Sequence, residues 1–180
     1  MAGYLELILG CMFSGKTTKL LEIYNMYSIC DVSCCVINSS LDKRYSNTNL
    51  VTHDKKSIPC IFVEKLNSIT TPDVLDKYNV FLINEGQFFT DLYDSVIELV
   101  CKHHKKVYIC GLDGDFQREK YGQILDLIPK SDKFFKLYAI CKICKDGTSA
   151  CFSKRITNEN TQTIIGSNNY IPVCRKCYEN

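Results

Sequence analysis

Long apolar runs are missing from this chain of 180 residues, and none approaches the roughly 20 uninterrupted apolar positions that a membrane span requires. The first residues, Met1 to Leu9, also lack a basic region followed by a long apolar run, so neither export nor membrane contact is expected and the protein should stay in the cytoplasm. An excess of charge of one sign is missing too. Lys and Arg number 22 against 20 Asp and Glu, the formal net charge is +2, and no long basic block occurs. Nothing here attracts a nucleic-acid backbone over a broad surface, so small anions are the expected partners and nucleic acid is not. Internal repeats and low-complexity segments are absent. What remains is enough apolar material, 46% of residues, to bury a core in one main domain with a small appendage.

Cysteine is abundant, at twelve residues, yet only four of them fall into C-x-x-C pairs. Cys11, Cys30, Cys34, Cys35, Cys60, Cys101, Cys110 and Cys151 are scattered, which fits mostly reduced thiols, the apolar-flanked ones serving as small core residues, better than a secreted disulfide framework.

Strand and helix patterns alternate along the first 140 residues. Tyr4 to Leu9 reads as a strand, and Lys16 to Tyr27 carries Leu20, Ile23, Tyr24 and Tyr27 at helical spacing. Cys34 to Ile37 and Cys60 to Val63 have strand length, and the polar stretch Asn38 to Ser57 between them is expected to be a surface excursion. Asn79 to Ile83 is a continuous apolar run suited to a sheet covered on both faces, and a helix should follow with Leu92, Val96, Leu99 and Val100 on one side and Asp91 as its N-cap. Lys106 to Cys110 and Phe134 to Ile140 complete the strands. The pattern predicts an α/β fold, a mainly parallel sheet with helices on both faces and ligands at the carboxyl ends of its strands. From Cys141 the composition turns to cysteines and polar residues, so residues 1–140 and 141–180 are read as two units, with Thr157 to Asn169 a mobile loop in the second.

Gly10-Cys11-Met12-Phe13-Ser14-Gly15-Lys16-Thr17 matches G-x-x-x-x-G-K-[ST] and lies where that motif works, after a strand and opening a helix. The glycines let backbone N–H groups turn toward phosphate oxygens, the helix N-terminus adds partial positive charge, Lys16 neutralises the terminal phosphates, and Thr17 offers a hydroxyl to Mg²⁺. The residues expected to hold the nucleotide are these eight together with Thr18. An acidic group is needed at a nearby strand end, and Asn84-Glu85 supplies one, Glu85, placed to act as general base toward an attacking hydroxyl.

Cys141-Lys142-Ile143-Cys144 and Cys174-Arg175-Lys176-Cys177 form two knuckles able to direct four thiolates at one tetrahedral ion, so a structural Zn²⁺ is expected at Cys141, Cys144, Cys174 and Cys177. A long intervening loop adds little closure cost. Anchored at both ends, that loop is suited to fold over a ligand as a lid.

Taken in order, Met12 to Thr17, Thr52-His53-Asp54, Glu85-Gly86-Gln87-Phe88-Phe89, Leu112-Asp113-Gly114-Asp115-Phe116-Gln117-Arg118, Ser153-Lys154-Arg155, Ile165-Gly166 and Tyr170 before Cys174-Arg175-Lys176-Cys177-Tyr178 closely resemble the type II thymidine kinases of cells and poxviruses over nearly the whole chain. The resemblance implies that the 5′-hydroxyl of thymidine attacks the γ-phosphate of ATP to give dTMP, with Glu85 as base and Lys16, Mg²⁺ and Arg155 steadying the developing charge. It further implies a thymine pocket of Met12, Phe88, Leu112, Phe116, Tyr121, Ser153 and Tyr170, sugar contacts from Asp54 and Gly166, and backbone contacts to the base near Gln162 and Ile164. Feedback inhibition by dTTP held under the lid, a homotetramer and, for a viral member, the host cytoplasm follow from the same source. The chain stops three residues after its last cysteine, as compact viral and bacterial members do.

Three positions depart from the family pattern. Asn84 stands where most members have an aspartate that holds Mg²⁺ through water, and is expected to act at one remove from the metal. Cys11 replaces a proline, and the loop before Tyr170 is one residue short. Two other classes stay open on the residues alone: a silent member of the family that binds dTTP without turnover, for which Asn84 is the reason, and a zinc-ribbon NTPase acting on nucleic acid, which the near-neutral charge disfavours.

Overall fold

The fold comes from a computed structural model that describes residues 2–42, 49–51, 56–159, 161–164, 166 and 168–180. In chain order, β1 (Tyr4–Gly10) leads through a glycine-bounded loop to α1 (Lys16–Ile29), then β2 (Cys34–Ser39), the short strands β3 (Asn49–Val51), β4 (Ser57–Pro59) and β5 (Ile61–Val63), α2 (Pro72–Lys77), β6 (Val80–Ile83), α3 (Leu92–Ile97), β7 (Lys106–Gly111) and β8 (Lys133–Leu137). The rest comprises β9 (Ala139–Ile140), β10 (Ser149–Ala150), β11 (Phe152–Arg155), β12 (Tyr170–Val173) and α4 (Arg175–Glu179). Six strands form one sheet in the order β5-β2-β6-β7-β1-β8, and every pairing in it is parallel. The parallel sheet with helices expected from the sequence is therefore present.

Side-chain alternation along the strands explains why both faces are covered. Leu5, Leu7 and Leu9 of β1 point to one face, with Phe81, Ile83, Val107 and Ile109, where they pack on Leu92, Val96 and Leu99 and on Leu66, Ile69, Ile124 and Leu127 of two 3₁₀ segments. Ile8, Val36, Val80, Leu82 and Cys110 point the other way, onto Leu20, Leu21 and Ile23 of α1. A third cluster joins Ala139, Cys141, Ala150, Val173 and Cys174 of the C-terminal segment to Cys11 of the glycine loop.

Several local expectations need correction. Asn38 to Ser57 is not wholly a polar surface excursion: Asn38 and Ser39 finish β2 in the interior, and Leu50 of β3 faces Ile58 of β4 across an antiparallel pair that seals the second cluster. One apolar residue per short strand suffices, because every second position of a strand faces the same way. Phe134 to Ile140 is two strands. β8 follows β1 only to the register Gly10–Leu137, where β1 ends, and Ala139–Ile140 then pairs antiparallel with β10. Past Ile97 the third helix widens into a π-type turn, Glu98–Lys102, that keeps Leu99 inside.

Asp91 does precede α3, but its side chain makes no capping bond there. Its backbone, at φ −107° and ψ 18°, lacks the extended conformation usual at an N-cap. The carboxylate turns to the 3₁₀ helix Leu66–Ile69 and accepts the N–H groups of Leu66 (3.1 Å) and Asn67 (2.9 Å). Asp91→Ala orphans both donors and should cost about 1–2 kcal/mol, read as a lower urea midpoint, and an unchanged midpoint would contradict this.

Candidate active site

β1 ends at Gly10 with φ +150°, and a Cβ there would lie 2.5 Å from the Leu137 carbonyl oxygen and 2.7 Å from Ser14 Oγ. Only glycine fits so close a backbone approach. Gly15, at φ +82°, opens α1 directly at Lys16, and no acidic residue occupies the first turn of that helix. Its N-terminal field is left for an anion. Lys16 is buried to 8% exposure and lends its ammonium to the Cys11 carbonyl at 2.7 Å, while Ser14 Oγ is buried without a partner among the described residues. An orphaned hydroxyl and an inward-pointing lysine in a glycine-framed loop fit the phosphates of a nucleotide.

The other side of this loop is held by the C-terminal segment. Met12 donates its N–H to Ser153 Oγ (2.9 Å), and the Cys11 thiol reaches the Ala150 carbonyl (3.4 Å). Burial pushes the Cys11 thiol up, so it remains protonated and serves as a donor.

At the end of β6, Asn84 is 2% exposed and fully engaged. Its Oδ1 accepts the Thr17 hydroxyl (3.3 Å) and the Cys110 thiol (3.0 Å), and its Nδ2 donates to Asn38 Oδ1 (3.1 Å). Asn38 in turn donates to Asp42 Oδ2 (3.3 Å) and accepts the Ser39 N–H (3.0 Å). Burial pushes the Cys110 thiol up to about 12, which keeps its proton on sulfur for this bond. Asn84 thus touches Thr17, the residue expected at Mg²⁺, whose hydroxyl is an oxygen donor of the kind a hard, hydrated cation takes. Asn38 and Asp42 had no assigned role from sequence, where nothing marks a strand-end Asn as part of a site.

Glu85 follows in the left-handed region, φ 52° and ψ 46°, where a residue with a Cβ is held at a cost of about 1 kcal/mol or more. Its Oε2 accepts Nε2 of Gln87 at 2.6 Å, and Gln87 Oε1 accepts the Leu112 N–H at 3.0 Å. Within the Glu85–Phe89 motif, nothing in the sequence alone assigns Gln87 a task. The available signal was a long polar residue in a turn between two buried elements.

One cavity runs from Met12–Thr18 past Asn84 and Glu85 to Phe88, Leu112, Phe116, Tyr121, Ser153, Gln162, Ile164, Gly166 and Tyr170. The residues expected around a nucleoside therefore share a space with the glycine loop. Phe88 and Tyr121 meet edge to face with centroids 5.8 Å apart, and the Tyr121 hydroxyl pairs with Thr163. Gln162 also donates its side-chain amide to Asp115 Oδ2 at 2.8 Å. Asp54, Thr52, His53 and Ile165 lie outside the described residues.

Arg155 is placed differently from the expectation. It is not among the residues lining the cavity. Its guanidinium lies 3.6 Å from the Phe116 ring centroid and donates to the carbonyls of Glu159 (2.7 Å), Thr161 (2.6 Å) and Gln162 (3.1 Å) and to the Tyr170 hydroxyl. The guanidinium fork is thus matched to the carbonyls of the segment that follows it, while its Nε is buried with no partner among the described residues.

The four knuckle cysteines converge. The Sγ atoms of Cys141, Cys144, Cys174 and Cys177 all lie within 4.8 Å of one another, a donor set that suits one tetrahedral zinc. The backbone N–H of Cys144 leads in drawing the Cys141 thiol down, while side-chain bonds to Cys177, Cys141 and Cys174 push the Cys144 thiol up, as expected of sulfurs crowded together.

A six-stranded parallel sheet with a glycine loop at the carboxyl end of β1 and a four-cysteine appendage defines an α/β protein with a candidate phosphate site. The family model for thymidine kinase matches residues 3–178, and the chain belongs to that family. It is 43% identical to the thymidine kinase of Yaba monkey tumor virus (strain VR587), covering 98% of this chain and 95% of the relative. To the thymidine kinase of sheeppox virus (strain KS-1) it is 42% identical, over 98% and 97% of the two chains, and to that of vaccinia virus (strain Western Reserve) 41%, with the same coverage. Among the described residues no helix is long and apolar enough to cross a membrane.

The Asn84 network carries a prediction. A carboxylate in Asn84→Asp would face Asn38 Oδ1, and turning the Asn38 amide to serve it withdraws the acceptor from Ser39 and aims an oxygen at Asp42. Asn84→Asp should lose about 1–3 kcal/mol in urea unfolding, and equal or higher stability would contradict the network.

Proposed function

We propose that this chain is a thymidine kinase that moves the γ-phosphate of ATP to the 5′-hydroxyl of thymidine, giving dTMP. One observation carries the reading: the glycine loop, Glu85 and the aromatic pocket line a single cavity. Lys16, the orphaned Ser14 hydroxyl and the first-turn N–H groups of α1 would hold the phosphates, and Phe88, Phe116, Tyr121 and Tyr170 would clasp the base. Glu85, between the two, takes the proton from the attacking hydroxyl. Bound Mg²⁺ supplies charge neutralisation at the transferred phosphate, with Thr17 as its protein oxygen and Asn84 behind it. The loop gripped by Arg155 keeps water from the transfer.

Further parts of the reading rest on family likeness. A structural Zn²⁺ on the four cysteines would staple the base of that loop. Residues 1–140 and 141–180 would act as nucleotide-binding and lid units, dTTP would inhibit by occupying the same cavity, and the active form would be a homotetramer in the cytoplasm, host cytoplasm for a viral protein, without nucleic-acid or membrane partners. A silent nucleotide binder is the second reading, favoured by the buried Asn84, which sets an amide and not a carboxylate against the Thr17 hydroxyl.

Glu85→Gln tests the role of the base. It should keep thymidine and dTTP binding by calorimetry and lower the rate of dTMP formation by about a hundredfold or more, and near-full turnover would remove Glu85 from that role.

A further inference from the structure

We infer that Gln87 is a positioning residue for phosphoryl transfer, the buried clamp that aims the Glu85 carboxylate and couples it to the Leu112 side of the nucleoside pocket. The inference rests on the reading of Glu85 as the base. Gln87 is only 4% exposed and uses both ends of its amide, Nε2 to Glu85 Oε2 at 2.6 Å and Oε1 to the Leu112 N–H at 3.0 Å. A single planar group therefore fixes the distance between the strand-end carboxylate and the loop that begins at Leu112, which follows β7. Both Glu85 and Leu112 line the cavity.

The surroundings are shaped around this amide. A Cβ at Gly111 would lie 2.5 Å from Gln87 Oε1, and one at Gly122 would lie 2.3 Å from the Gln87 carbonyl oxygen. A Cβ at Gly86 would meet Ile109 at 2.7 Å, which would push the turn carrying Gln87 off the sheet. Gly111 and Gly122, from two other segments, thus clear the space that this side chain and its backbone occupy, and Gly86 lets their turn lie on the sheet. The left-handed conformation of Glu85 supplies the need for the clamp: at φ 52° a residue with a Cβ relaxes unless its surroundings hold it, and a charge-assisted bond of 2.6 Å, the shorter and stronger kind, holds it by the carboxylate itself. Gln87 touches no reacting atom; it acts through Glu85.

Two variants separate this role from simple packing. Gln87→Glu keeps the size and the acceptor for Leu112 but sets a carboxylate against Glu85, whereas Gln87→Met keeps the bulk and removes both bonds. Steady-state dTMP formation should show kcat lowered about tenfold to a hundredfold in both, with the thymidine KM of Gln87→Glu within about twofold of wild type. A wild-type kcat in Gln87→Glu, with only Gln87→Met impaired, would overturn the clamp and leave Gln87 as an anchor for Leu112. A raised KM with unchanged kcat in both would overturn it as well. Absence of any dTMP from the unmodified protein would instead sink the kinase reading, and this inference with it.

Discussion

Met12 N–H to Ser153 Oγ, at 2.9 Å, is the contact on which the site's geometry depends. It ties the loop after β1 to β11, so the phosphate-facing and nucleoside-facing walls of the cavity are held at a fixed separation. Around it, Cys11 packs in the same cluster as Ala139, Cys141, Ala150, Val173 and Cys174, and its thiol bonds to Ala150. The C-terminal segment is therefore joined to the sheet at the glycine loop itself. Phosphoryl transfer demands positioning more than covalent chemistry, and a misplacement of about 1 Å can cost about a hundredfold in rate, so a short, partly buried link at this point has functional weight.

Buried polarity is the second theme. Asn38, Ser39, Asp42, Asn84, Gln87 and Asp115 are all in the interior at the carboxyl ends of the strands. Their bonds form two connected systems, Thr17–Asn84–Asn38–Asp42 on the nucleotide side and Glu85–Gln87–Leu112 on the nucleoside side. Satisfied networks of this kind rigidify a core, and their unpaired counterparts are costly. Ser14 is a buried exception, and it lies where a ligand's phosphate would meet it.

How much of this was legible beforehand follows from the range of each signal. The glycine loop, the parallel strands and the cysteine knuckles are encoded by local spacing, and each appears where the residues place it: Gly15 opens α1, β6 is buried along its length, and four sulfurs converge. The Asp91 carboxylate misled because the competing donors, Leu66 and Asn67, are far away in sequence and near in space. The surroundings of Arg155 are likewise set by residues that local spacing does not reveal. Its motif says that a guanidinium is needed, but only the folded loop shows the carbonyls of Glu159, Thr161 and Gln162 gathered around it. Gln87 carries no periodic signal, and its task is set by Gly111 and Gly122, which approach it from other segments.

The most direct measurement is ATP-dependent phosphorylation of thymidine by the purified protein with Mg²⁺, run beside deoxycytidine, deoxyadenosine and single-stranded DNA. The account predicts dTMP as the sole product, formed with Asn84 in place. Tight dTTP binding with no dTMP formed would contradict it and leave a nucleotide-binding protein that does not turn over.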